Sequence, residues 1–388
     1  MQSKAQIDQL LRQKSEAREI PGVVAMAANN QEVIYQGAFG KRDLSKDDAM
    51  TADSVFWIAS MTKAITAAAA MQLVEQGKLS LDAPIGKVLP DLASPQVLEG
   101  FDAKGEPKLR PAKNAITLRH LMTHTAGFCY EMWNGDKATY LEKTGLPGIT
   151  SCKNDALKTP IASDPGTRWE YGTNIDFVGK AVEAVSGKRL DAYLRDHIFA
   201  PLGMNDTGFK LTDAMRKRLV GMHARNPDGS LAPLPFELEQ DPEFHMGGGG
   251  LYGTAGDYIK FTQMILNKGR GNGNQVLRPE TVASMSQNPY RRSRRDQDDV
   301  GGADLHQRRR SLSRHGQEMG SLLPDHDRQD TGRPQRRQPR LGRPGEHLFL
   351  DRSGTRRGRG DPDADAAVLR RKVPGGFFGL RARYLCRP

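Results

Sequence analysis

The sequence predicts a mixed α/β domain joined to a mainly helical second domain. Three observations carry that reading. The chain opens on an amphipathic helix and a hairpin, with VVAMAANN and EVIYQGAFG as two short apolar runs around a polar turn. The short run Ser54-Val-Phe-Trp-Ile-Ala then leads into MTKAITAAAAMQLVEQG, an apolar, Ala-rich helix former. A long stretch of loops and helices separates these elements from GLYGTAGDYIKFTQMILNKG, which reads as a turn into another helix. Helices inserted between sheet-forming ends favour two packed parts. The expected boundaries are 1–75 for the first part of the α/β domain, 76–215 for the helical domain and 216–288 for the return. Residues 289–388 form an Arg-rich tail of different character.

Taken in order, residues 5–19 have the apolar spacing of a helix. Ser60 falls where the Ala-rich helix begins, and Gly77 is its natural stop. Further helices are expected at 117–124, ending before Ala126-Gly127, and at 174–186, ending at Gly187. Residues 188–199 continue helical until PLGMNDTGF turns the chain. Gly247–Gly250 has no G-K-[ST] after it, so it reads as a close backbone approach, not a phosphate cradle.

Composition narrows the class. No apolar run near 20 residues occurs, and the first 22 residues lack the shorter apolar run of a signal peptide. A cytoplasmic protein without membrane attachment is expected. Cys129, Cys152 and Cys386 show no C-x-x-C spacing, so neither a disulfide framework nor a zinc site is expected. The net charge of +11 points at first to nucleic acid. Yet residues 291–388 hold 23 Arg and 1 Lys against 13 acidic side chains, while the first 290 residues are neutral overall. The charge belongs to the tail.

The chemistry gathers at Ser60-Met-Thr-Lys63. A serine hydroxyl is a weak nucleophile until a neighbour takes its proton. Positions i and i+3 share a helix face, so the Lys63 amine can reach the Ser60 oxygen. The helix start adds free N–H groups and a positive dipole end, which favour developing negative charge. The competing reading is a serine that merely caps the helix beside a solvated lysine.

Five ordered segments decide between these readings. VFWIASMTKAITAAAAMQLVEQGKLSLDAPIGKVLP, ITLRHLMTHTAGF, PGTRWEYGTNIDFVGKAVEAVSG, PLGMNDTGF and GGGGLYGTAGDYIKF run from about Ile20 to Gln287. Together they resemble the family containing class C β-lactamases, DD-peptidases and family VIII carboxylesterases. The resemblance implies an antiparallel sheet flanked by helices, a mainly helical second domain, and a site at their interface. It implies Ser60 as nucleophile and Lys63 and Tyr171 as its activating partners, the Lys63 charge favouring the Tyr171 phenolate. No cofactor or metal is implied. In the β-lactamases the tyrosine motif reads Y-x-N, whereas Tyr171-Gly172-Thr173 puts threonine third, with Asn174 one residue on. That departure favours a carboxylesterase acting on short-chain esters over a β-lactamase or DD-peptidase.

Other candidates fall away. His120 and His124 stand four apart on the expected helix but have neither a third ligand nor an H-E-x-x-H glutamate, so packing is the expected role. No G-x-S-x-G elbow occurs. A nucleic-acid-binding protein using the tail is the alternative from a different class, but the tail lacks interleaved aromatics and any fold periodicity. No nucleic-acid partner is expected, only a small-molecule ester. The family's third motif, on a strand that also supplies an oxyanion-hole N–H, should lie past residue 300, where RRSRRDQDD and GRPQRRQPRLGRPG stand instead. Arg-rich, Lys-poor sequence without pattern is what a GC-rich gene gives when read out of frame. Shifted by one base, the codon possibilities across Leu341 to Arg343 admit W-A-G, the esterase form of that motif. A single-base frameshift near residue 289 is therefore expected.

Overall fold

The computed structural model describes residues 3–287. The first helix, α1 (Lys4–Glu16), starts at a reciprocal cap. Ser3 Oγ accepts from the Gln6 N–H and Gln6 Oε1 accepts from the Ser3 N–H. Strands β1 (Gly22–Ala28) and β2 (Val33–Gly40) pair antiparallel, with Val24 opposite Ala38 and Met26 opposite Gln36. Helix α1 packs on β2, where Arg12 lies 5.0 Å over the Phe39 ring.

The next strand, β3 (Val55–Trp57), runs into a 3₁₀ turn, Ala59–Met61, and then into α2 (Thr62–Glu75). Helix α2 has no single apolar face and is buried along most of its length, with Ile65, Ala68, Ala69, Ala70 and Leu73 fully buried. Such a helix is held by packing and not by one amphipathic face. A hairpin follows, β4 (Gln96–Phe101) with β5 (Pro107–Pro111). It stands inside the stretch expected to be mainly helical. The reversal at Asp102–Glu106 is built by Asp102 Oδ1, which accepts from the Lys104 and Glu106 N–H groups.

Helices α3 (Leu118–Met122), α4 (Gly135–Thr144) and α5 (Asn174–Ser186) complete this part, with α5 packed against both α2 and α3. Helix α5 ends as expected, at Gly187 in a left-handed conformation. Residues 188–199, expected to continue helical, do so from Leu190, but α6 (Leu190–Leu194) widens into a π turn at Arg195–Phe199 before α7 (Ala200–Leu202). Pro201 is the physical reason, since it has no N–H to give the His197 carbonyl. Gln72 Nε2 donates to that carbonyl instead, at 3.1 Å.

After α8 (Asp213–Arg216), the hairpin β6 (Met222–Arg225) and β7 (Leu231–Leu234) turns at Asn226-Pro-Asp-Gly229. Then β8 (Tyr252–Thr254) pairs antiparallel with β3 and leads into α9 (Ala255–Leu266), which packs on β1. A last helix, α10, covers Pro279–Met285. All strand pairs among the described residues are antiparallel. The Arg-rich tail, the expected third motif and the expected frameshift lie outside the described residues.

Candidate active site

The β3–β8 ladder places the site. Trp57 lies opposite Tyr252, and the Ile58 N–H donates to the Leu251 carbonyl at 2.9 Å. This pairing holds Gly247–Gly250, just before β8, against the start of α2. Thr62 Oγ1 accepts from the Leu251 N–H, and Trp57 Nε1 donates to the Gly249 carbonyl at 2.6 Å. Ala59, one residue before Ser60, has φ of +44°, so the chain enters the helix through a strained turn.

Ser60 is exposed at that turn, and Lys63 and Tyr171 converge on it. Tyr171 Oη donates to Ser60 Oγ at 2.7 Å, and Lys63 Nζ donates to the same oxygen at 3.1 Å. The three residues named from the sequence therefore meet at one atom. The ammonium also lies 4.5 Å from the Tyr171 ring centroid, close enough for a cation–π attraction.

Tyr171 is set by two loop segments running side by side. The Gly166 and Glu170 N–H groups donate to the Thr125 and His124 carbonyls. Gly172 lies so close to residue 129 that a Cβ there would come within 2.4 Å of Cys129 Cα. Asn174, at the start of α5, is fully buried, and its amide Nδ2 donates to His124 Nδ1 and to the Phe128 carbonyl. Thr173 is buried too. Neither the threonine in the motif's third place nor the asparagine after it is exposed beside Ser60.

The two histidines separate. His120 stays on α3, where its ring takes part in the cap at Thr117. His124 lies beyond the end of that helix, at φ +56°, and packs on Tyr171 with ring centroids 4.8 Å apart. The expectation that both share a helix is corrected on this point, because the left-handed residue ends the helix first. Burial, and then the Lys63 charge, push the His124 imidazole down to about 3, so it is neutral at ordinary pH.

Three groups that sequence reasoning passed over complete the surroundings. Tyr130 Oη accepts from Lys63 Nζ at 3.3 Å, and burial raises that phenol well above its usual range. The Gly248 carbonyl accepts from Lys63 Nζ at 2.7 Å. Asp176, in the first turn of α5, is fully buried and accepts from the Gly248 N–H at 2.8 Å. Beside Tyr171, Trp133 and Trp169 are 55% and 52% exposed, with ring centroids 5.5 and 6.3 Å from that of Tyr171. Exposed tryptophans packed on the tyrosine that donates to Ser60 Oγ give an apolar shelf close to that oxygen. Cys129 and Cys152 are buried, and burial pushes their thiols up to about 12 and about 11.

Fold and site together define a serine hydrolase in which Ser60, met by Lys63 and Tyr171, lies just ahead of a buried helix at the edge of a β ladder. The chain belongs to the beta-lactamase family, whose model matches residues 7–320. Acyltransferase mokF of Monascus pilosus is 37% identical over 69% of this chain and 67% of its own length. Esterase EstB of Burkholderia gladioli is 30% identical over 76% of this chain and 75% of its own. Among solved structures, unliganded simvastatin synthase from Aspergillus terreus superposes with a TM-score of 0.65 at 32% identity, over 77% of this chain and 75% of that one. Among the described residues, no helix is long and apolar enough to cross a membrane.

Proposed function

We propose that the chain is a carboxylesterase that hydrolyses short-chain esters through an acyl-enzyme on Ser60. The observation that carries this reading is one hydroxyl oxygen shared by the Tyr171 phenol and the Lys63 amine at an exposed helix start. Ser60 Oγ attacks the ester carbonyl while its proton passes to whichever member of the Tyr171–Lys63 pair is deprotonated, and the pair returns it to the departing alkoxide. Water then attacks the acyl-enzyme by the same proton route, releasing the acid and restoring the Ser60 hydroxyl. The Ser60 N–H, at the helix start, supplies one oxyanion donor. Burial of Thr173 and Asn174 supports an ester over a β-lactam substrate, since neither side chain is placed to hold a substrate amide.

A second reading has an alcohol replace water in the deacylation step, so that the acyl group is transferred to it. The similarity to an acyltransferase and the shelf of Trp133 and Trp169, suited to a large apolar alcohol, favour it.

One set of assays tests both readings. Turnover of p-nitrophenyl butyrate is expected to fall by about 10³-fold or more in Ser60→Ala. In Lys63→Ala and Tyr171→Phe the expected fall is about 10²- to 10⁴-fold. Ester turnover that survives in Ser60→Ala overturns the nucleophile, and nitrocefin turnover exceeding ester turnover restores the β-lactamase reading. With an apolar alcohol added, the ratio of new ester to free acid decides between hydrolysis and transfer.

A further inference from the structure

A single peptide group in the Gly-rich run is pinned from both sides. Its carbonyl, on Gly247, accepts from Thr66 Oγ1 at 2.8 Å. Its N–H, on Gly248, donates to Asp176 Oδ1 at 2.8 Å. Thr66 lies on α2 one turn beyond Lys63, and Asp176 lies on α5 five residues beyond Tyr171. The pin thus ties the helix that carries Lys63 to the helix that begins three residues after Tyr171. The next carbonyl along, that of Gly248, is the one that accepts from Lys63 Nζ at 2.7 Å, its shortest hydrogen bond. A Cβ on Gly248 would come within 2.6 Å of Asp176 Oδ2, so only glycine fits this approach without a shift.

Asp176 is costly to keep. Its side chain is fully buried, and Oδ2 has no hydrogen-bond partner. A buried carboxylate left half satisfied is destabilising unless a nearby positive charge offsets it. Lys63 on α2 and Lys137 on α4 are the cations whose charges act on it. Tyr130, between α3 and α4, and Cys152 are the other titratable groups within its electrostatic reach.

We propose that Asp176 is a positioning residue for Lys63. Through the Gly248 peptide it fixes the carbonyl that holds Nζ on Ser60 Oγ, and its carboxylate is the buried counter-charge to the ammonium. The burial cost is the penalty for placing one amine between the nucleophile and two tyrosines. Burial raises the Asp176 carboxyl to about 6, so it carries its charge at neutral pH, where the ammonium needs it.

This inference rests on the roles proposed for Ser60 and Lys63, and the test keeps the two apart. Asp176→Asn keeps the shape and an acceptor for the Gly248 N–H but removes the charge. Its kcat for p-nitrophenyl butyrate is expected to fall on the order of 10- to 100-fold with KM within about twofold, as for slight misplacement of a reacting group. Removing a negative charge makes every neighbouring group give up its proton more readily, so the pH profile of kcat/KM should move to lower pH as a whole. Thr66→Val, which releases the other side of the same peptide, should give a smaller fall in kcat, again with KM held. A folded Asp176→Asn enzyme with unchanged kcat and an unmoved profile overturns the proposal. If Asp176→Asn does not fold, unchanged kcat in Thr66→Val overturns it instead. Turnover persisting in Ser60→Ala refutes the proposed function whatever Asp176 does. An inactive Ser60→Ala beside a fully active Asp176→Asn refutes only the role of Asp176.

Discussion

His124 shows what a single buried residue contributes here. It adopts a left-handed backbone, packs under Tyr171, and accepts from Asn174 with a neutral ring. In the unfolded chain its imidazole takes up a proton as pH falls through about 6.5, while in the folded protein it does so only near 3. The unfolded state therefore binds more protons across that window, and stability rises with pH there. The contribution of His124 is complete above about pH 6.5 and is lost progressively toward pH 3. Asparagine tolerates left-handed φ, so His124→Asn should fold, and its denaturant midpoint should drop less than that of wild type between pH 7 and pH 4. Equal drops would show that another group sets the acid sensitivity. At this scale the sequence was informative only where a role is written in side chains at fixed spacing. Ser60 and Lys63 share a helix face, and Tyr171 sits in a motif. Tyr130 lies 67 positions from Lys63, the Gly248 carbonyl 185, and a carbonyl has no side chain to read. The glycine run did signal a close backbone approach, though not which side chains it meets.

At the scale of elements, α2 is both a buried helix of the core and the carrier of Lys63, with Ser60 just ahead of it. Leu73 is fully buried near its end, far from the reacting groups. Leu73→Ala should cost about 2–5 kcal/mol, the range for truncating a packed aliphatic side chain. The measurement is a urea midpoint with an unchanged slope, and a loss below 1 kcal/mol would mean that the neighbouring helices close over the gap. Element ends were legible where local chemistry decides them. Gly187 stops α5 by its left-handed conformation. The 117–124 helix ended early, at Met122, because tertiary contacts turn His124 aside. The π turn before α7 depends on Gln72, more than a hundred residues away, filling the place left by Pro201. The hairpins β4–β5 and β6–β7 went unforeseen, since their burial alternates weakly and only their turns carry a local signature.

At the scale of the whole molecule, the break in composition near residue 289 governs what the polypeptide can do. The fold class was legible because the motif-bearing segments all precede that break, and the expected second oxyanion donor was not, because the motif expected to supply it should lie after the break, where it cannot be read as written. We expect the coding DNA to show a one-base shift near that codon. Correcting it should convert the Arg-rich tail into sequence carrying W-A-G and raise ester turnover of the expressed enzyme. Mass measurement of C-terminal peptides checks this directly. Arg-rich peptides from an active enzyme, with the reading frame intact, would contradict it.

The ribbon of β1 and β2 then takes on a practical meaning. Among the described residues these two strands pair only with each other, with α1 and α9 packed on them, and Val33 and Ile34 are left exposed. A two-stranded ribbon is marginal alone, and its unpaired backbone groups are a template for another strand. We expect the described residues to act as a scaffold bearing Ser60, whose open ribbon a separately supplied strand should complete. Fused to two proteins that bind each other, such halves would make ester hydrolysis the readout of their meeting.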